Sequence, residues 1–253
     1  MLPILQVGPL AIQTPGLLLL AGVWIGLSLA ERHAQRYQVK SEMLYNLVFS
    51  MMIAGILGAR LAYAARFPSA FIANPISLVS INPGLLDPWG GLLIAIIVGL
   101  IYGQRKNQAL WPTLDALTPV LAVFMIAIPL SNLASGHAFG SPTEIPWSID
   151  LWGTQRHPVQ VYEAAAATFI LWLLWPSRQE RRSQSGWIFL QFIVLSASMR
   201  LFLEAFRGDG TLLVAGVRSA QVGAWLVIAS GLFAMYRIGK RNKSENPATH
   251  GNG

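Results

Sequence analysis

The chain has 253 residues, of which 54% are apolar and only 11% charged, with a net charge of +7 and a mean hydropathy of +0.50. Apolar runs of membrane-spanning length make the bilayer its expected solvent. The absence of cysteine excludes disulfides, thiolate metal sites and a protein-borne thiol nucleophile. The excess of positive charge is spread through short runs between apolar segments, so a nucleic-acid partner is not expected.

Seven apolar segments follow in chain order, giving an expected all-α, polytopic membrane bundle. The first, Pro15 to Ala30, has no Lys or Arg before it and is therefore expected to be retained as a span instead of being cleaved. The others run from Met43 to Tyr63, Trp89 to Tyr102, Leu114 to Leu133, Val159 to Trp175, Gly186 to Phe206 and Gln221 to Tyr236. Breaker-rich or polar stretches divide them, and one of these, "FPSAFIANPISLVSINPG", reads as a short arm or lid. Residues 1–240 are expected to form one transmembrane domain, and residues 241–253 a polar, disordered cytoplasmic tail.

Cations follow the odd-numbered spans: Arg32, Arg36 and Lys40, then Arg105 and Lys106, then Arg178, Arg181 and Arg182, then Arg237, Lys240, Arg241 and Lys243. The positive-inside rule then predicts an N-terminus outside and a C-terminus in the cytoplasm. The six remaining cations, Arg60, Arg66, Arg156, Arg200, Arg207 and Arg218, are all arginine and lie outside those loops.

In "RLFLEAFRGDG", Arg200, Glu204 and Arg207 share one helical face. At 1.5 Å per residue from Gly186, Arg200 lies roughly 21 Å along the sixth span and Arg207 roughly 32 Å. The same count puts Arg60 about 26 Å along the second span and Glu163 about 7 Å below the outer end of the fifth. Asn132 comes out at a similar depth, so these residues are expected in one outer layer. Charge in hydrocarbon is costly and usually faces a cavity or a partner. Internal salt bridging of Arg200, Glu204 and Arg207 is one reading. The other is an anion site at headgroup depth: three or four arginines against two carboxylates leave a positive surplus, and planar guanidinium forks suit a phosphate. Trp89, Trp147, Trp152 and Trp187 read as interfacial anchors, while Gly90 and Gly91 permit close helix approach.

Three elements then occur in order: "TQRHPVQVYEA" over Thr154 to Ala164, "GWIFLQFIVLSASMRLFLEAFRGDG" and "SAQVGAW". Together they resemble the C-terminal half of the prolipoprotein diacylglyceryl transferases. Upstream, "GILGARLAYAARFP" is similar to that family's element through Arg60 and Tyr63, "PWGGLL" to its His-Gly-Gly-Leu motif, and "PLSNLASGHAFG" to its signature, with Asn132, Gly136 and Gly140 kept. The likeness covers most of residues 9 to 236.

The resemblance implies transfer of the diacylglyceryl group of phosphatidylglycerol to the lipobox cysteine thiol of a prolipoprotein, at the outer face of the bacterial cytoplasmic membrane. It implies Arg200, Glu204 and Asn132 as catalytic residues, and His137, standing where the family has Glu, is expected to join them as the base. Arg60, Arg156, His157, Gln160, Tyr162, Glu163, Arg207, Gly136 and Gly140 would be substrate-binding. Phosphatidylglycerol, a prolipoprotein signal-peptide segment and membrane lipids are the implied partners, and no cofactor or metal is called for.

The sequence departs from the pattern at Pro15 for Tyr, Trp89 for His, Pro129 for Arg, Ser131 for Gly, Ser135 for Asn and His137 for Glu. Two accounts follow. His137 takes over proton removal, for which an imidazole is suited; or the fold persists as a lipid-binding or accessory membrane protein. A secondary transporter is a third reading, weighed down by the absence of repeated broken helices and by the shallow depth of the charges.

Overall fold

A proline at the first helical turn costs nothing, because its missing N–H would have no partner there. Pro15 thereby opens α1 (Thr14–Ala34), and Pro88 opens α4 (Pro88–Arg105) behind an Asp87 cap. The computed structural model describes residues 4–7, 10–79, 83–175, 184–211, 213 and 218–245. A short hairpin, β1 (Ile4–Val7) with β2 (Leu10–Gln13), precedes α1. The remaining elements are α2 (Ser41–Arg66), α3 (Pro68–Ala73), α5 (Leu110–Ser135), β3 (Ile149–Leu151), β4 (Thr154–Arg156), α6 (Val159–Leu173), α7 (Trp187–Leu203) and α8 (Ser219–Glu245).

The expected seven apolar segments correspond to α1, α2, α4, α5, α6, α7 and α8. Six of these helices are long and apolar enough to cross a membrane. The exception is α6, whose fifteen residues form a shorter apolar helix. The chain is an all-α, multi-pass membrane protein. The cations Arg178, Arg181 and Arg182 lie outside the described residues. Of the polar tail, α8 continues to Glu245, and residues 246–253 also lie outside.

The chain divides into two compact units, 38–113 and 1–37 with 114–253. In the first, α2 and α4 pack through small residues. A Cβ on Gly91 would stand 2.7 Å from the Gly55 carbonyl oxygen, and one on Gly90 would collide with Ala62. Gly90 and Gly91 thus permit the close approach predicted for them. The connection between these helices holds α3 and two 3-10 turns, Pro75–Val79 and Pro83–Leu85. Phe71 is buried edge-on to Tyr63, whereas Ile72 and Ile76 are exposed. Arg60 donates to the Leu85 carbonyl at 3.2 Å and Arg66 pairs with Asp87 at 3.1 Å.

In the other unit α1 lies against α5, where a Cβ on Gly26 would stand 2.9 Å from the Val120 Cα. Helix α5 carries Pro119 and Pro129 in its interior, each removing a ladder donor. Intramembrane helices tolerate this where neighbours re-satisfy the backbone. The core of the unit joins Ala122 of α5, Ile170 of α6 and Phe192 of α7, with Leu174 beside them. Buried Asp115 of α5 accepts from the backbone N–H of Gly186 at 2.5 Å and Phe189 at 2.9 Å. It therefore caps the start of α7 from a different helix, satisfying donors that the helix itself leaves over. Gly186, at φ 89°, sits in the left-handed region that favours glycine.

Candidate active site

The polar end of α7 is built first by its own termination. After Leu203 the helix tightens into a 3-10 turn, Glu204–Phe206, and the backbone becomes extended at Arg207. That extended segment pairs with residues 139–143. Ser141 donates its backbone N–H to the Phe206 carbonyl at 2.8 Å and Gly208 donates to the Phe139 carbonyl at 3.0 Å. On its other edge the 139–143 segment meets β4, with His157 N–H on the Ser141 carbonyl and Thr143 N–H on the Gln155 carbonyl. Three stretches far apart in sequence are thus laced by backbone hydrogen bonds. Gly140 sits at the crossing, where a Cβ would collide with the His157 carbonyl oxygen, so the site requires glycine there for space.

On this frame the charges assemble. Glu163 of α6 pairs with Arg207 at 2.8 Å and with Arg200 at 3.2 Å, through the same carboxylate oxygen. Glu204 is only 1% exposed and meets Arg200 at 3.1 Å, Arg218 at 3.8 Å and Arg207 at 4.0 Å. Its carboxylate has no directed hydrogen bond among the described residues, so surrounding charge holds it. Arg207 is further clamped by Asp209, with Nε to Oδ1 at 2.9 Å and Nη2 to Oδ2 at 2.7 Å. This is the bidentate fork geometry that suits guanidinium and carboxylate.

The expected count of two carboxylates is therefore corrected to three, since Asp209 joins Glu163 and Glu204. Arg218 is the third arginine paired to them. A surplus survives through Arg156, which has no carboxylate partner among the described residues. Arg156 donates to the carbonyls of Leu151 at 3.3 Å and Gly140 at 3.2 Å, and its guanidinium lies over Phe139, 4.7 Å from the ring centroid.

Gln160, fully buried one helical turn before Glu163, donates its Nε2 to the His137 carbonyl at 2.9 Å. It ties the 136–143 loop to α6. His157, Tyr162 and Phe206 form an edge-on aromatic trio, with centroids 5.3 to 6.3 Å apart, and the Tyr162 hydroxyl accepts from Trp147 Nε1 at 2.7 Å. Gly136 turns with φ 76°, and its carbonyl accepts from Trp152 Nε1 at 3.3 Å. Trp152 itself occupies a left-handed position, φ 58°, at the tip of the β3–β4 hairpin.

Asn132 contributes its backbone carbonyl, which accepts from the His137 N–H at 3.0 Å. His137 is exposed, and its Nδ1 lies 3.0 Å from Ser135 Oγ. That hydroxyl also lies 3.0 Å from the Ser131 carbonyl, and with its proton directed there its lone pair is free to accept Nδ1–H, the arrangement in which Nε2 is the basic nitrogen. Arg60 belongs to the 38–113 unit, where it donates to the Leu85 carbonyl.

The sequence reading brought Arg200, Glu204, Arg207 and Glu163 together, and missed Asp209, Arg218 and the hairpin. Asp209 stands two residues beyond Arg207 in the same quoted stretch, within reach of an extended backbone. Arg218 had no periodic signal.

Residues 3–237 match the model of the family described as prolipoprotein diacylglyceryl transferase. The phosphatidylglycerol–prolipoprotein diacylglyceryl transferase of Bordetella parapertussis is 28% identical over 235 residues, covering 88% of this chain and 88% of that protein. The enzymes of the same name from Thermosynechococcus vestitus and Clostridioides difficile are 28% and 27% identical, covering 92% and 90% of this chain and 91% and 92% of theirs. With the family's sequence model matching residues 3–237 of its 253, the chain belongs to the prolipoprotein diacylglyceryl transferase family.

Proposed function

We propose that this protein transfers the diacylglyceryl group of phosphatidylglycerol to the lipobox cysteine thiol of a prolipoprotein. In the bond change, the cysteine sulfur attacks the glyceryl carbon that carries the phosphate ester. The C–S bond forms, the C–O bond breaks, and the electron pair leaves on the oxygen of glycerol phosphate. The thiol proton goes to a base of the protein.

The observation that carries this reading is the arginine-carboxylate lattice at the end of α7, with Arg200 as its most open member at 38% side-chain exposure. An ionised phosphate leaving group is stabilised by guanidinium donors already held in place by their carboxylate partners. Arg156 adds positive charge on the Gly140 side of the same backbone lacing. His137 takes the thiol proton on Nε2, in the tautomer that Ser135 supports. Gln160 and Asn132 keep the His137 loop in register, and Tyr162 and His157 wall the site with aromatic surface.

The distribution of Lys and Arg supports an N-terminus outside and a C-terminus inside, with this polar layer at the outer face of the bacterial cytoplasmic membrane. The reading is tested by complementing a conditional transferase-null bacterium and analysing a lipoprotein N-terminus by mass spectrometry. A thioether-linked diacylglyceryl group that disappears with Arg200→Ala is the expected result. An unmodified N-terminus with well-expressed protein would instead support a lipid-binding family member without catalysis.

A further inference from the structure

The turn that ends α7 leaves the carbonyls of Glu204 and Arg207 to be met from the start of α8, and a helix C-terminus favours a cation there. Arg218, immediately before α8, supplies it. One guanidinium nitrogen, Nη1, donates to the Glu204 carbonyl at 2.5 Å and to the Arg207 carbonyl at 2.8 Å, and lies 3.8 Å from the Glu204 carboxylate. Gly210 closes over the same spot, since a Cβ there would stand 2.6 Å from Glu204 Oε1 and 3.0 Å from Arg218 Nη1.

The three arginines around Glu204 are not equally engaged. All three nitrogens of Arg207 are directed at carboxylates, two at Asp209 and one at Glu163, and its side chain is 9% exposed. Arg200 uses one nitrogen on Glu163 and one on Glu204, and remains 38% exposed. A guanidinium carries five N–H donors, so Arg200 retains capacity for a further anion. How much it retains depends on how strongly buried Glu204 draws on it.

We propose that Arg218 is a positioning residue: it fixes the Glu204–Arg207 turn and shares the charge of Glu204, leaving Arg200 as the guanidinium offered to an anionic lipid headgroup. The inference rests on the proposed function for its lipid, but its first readout is binding and not turnover. A protein that binds lipid through this device and transfers nothing would refute the reaction without touching the inference.

The test uses the full-length protein in neutral detergent, titrated with short-chain phosphatidylglycerol and followed by tryptophan fluorescence, with inorganic phosphate as the arm that separates a headgroup from a free anion. Arg218→Gln is expected to weaken lipid binding at least tenfold while the melting temperature stays within a few degrees, and Arg218→Lys to bind within threefold of the parent. Adding Glu204→Gln to Arg218→Gln is expected to recover part of the loss, because the charge that Arg218 shared is gone. Lipid binding within twofold of the parent in Arg218→Gln overturns the proposal, as does a double variant that merely adds the two losses. If Arg218→Gln fails to fold, Arg218→Lys decides: binding within threefold supports the assignment, and a tenfold loss ends it.

Discussion

Glu163 and Arg207 meet at 2.8 Å across 44 residues of sequence, both almost fully buried. Removing one partner of a buried pair leaves the other charge without compensation, at a cost of about 3 kcal/mol. Glu163→Gln is therefore expected to lower stability by about that amount, read as thermal unfolding in detergent, and to abolish lipid transfer. Exposed Glu144, changed to Gln, should leave both untouched.

His137 is solvent-exposed, so His137→Ala should leave the melting temperature within about a degree of the parent. Under the proposed reaction it should reduce the transfer rate by about 10²- to 10⁴-fold, the usual contribution of a positioned base. Ser135→Ala removes the Nδ1 partner and the hydroxyl's own bond to the Ser131 carbonyl but leaves the imidazole in place, and should cost less than His137→Ala. Rates measured with phosphatidylglycerol and a lipobox peptide decide the order.

Asp115 caps α7 from inside α5, through two backbone donors. Asp115→Ala leaves both without that acceptor, and a loss of about 2 kcal/mol is expected, at the upper end for a cap. Asp115→Asn keeps one oxygen and should lose less. Thermal unfolding of the two variants in one detergent makes the comparison.

Asp87 lies before α4, and its carboxyl is held below its ordinary value of 3.8, first by the Gly90 backbone N–H and further by Arg66, against a smaller opposing effect of burial. A lowered folded value means that the ionised form stabilises the native state. That contribution is fully present above the unfolded value and is lost as pH falls through the folded one. The melting temperature should therefore drop on acidification below about pH 4, and Asp87→Asn should flatten that part of the profile.

The apolar elements were legible because length and hydropathy alone decide what crosses a bilayer, and all seven segments are helices. The face shared by Arg200, Glu204 and Arg207 was legible because helical periodicity fixes it, and each of the two arginines pairs with Glu204. Asp209 escaped because it lies past the helix end, where periodicity no longer applies and the extended backbone of Arg207 brings the carboxylate around to the guanidinium. Arg218 escaped because its hydrogen bonds go to backbone carbonyls and its carboxylate partner lies on another element, fourteen residues away, which no helical pattern reports. The hairpin of Ile149–Leu151 and Thr154–Arg156 turns through Trp152 and Gly153, both at positive φ; Gly153 is an ordinary turn residue, but Trp152 seldom adopts that conformation and strands of three residues are too short to show an alternating pattern.

The brevity of α6 has a physical consequence. Fifteen helical residues measure about 22 Å, short of a hydrocarbon layer about 30 Å thick. A membrane meets such a segment by dimpling, drawing its headgroups inward at modest cost. Gln160 and Glu163, in the first turns of that helix, would stand at the foot of the depression. Under the proposed reaction, phosphate esters of lipid on that side would then lie nearer the guanidinium groups while their acyl tails stay in oil, so local bilayer thickness would bear on substrate delivery.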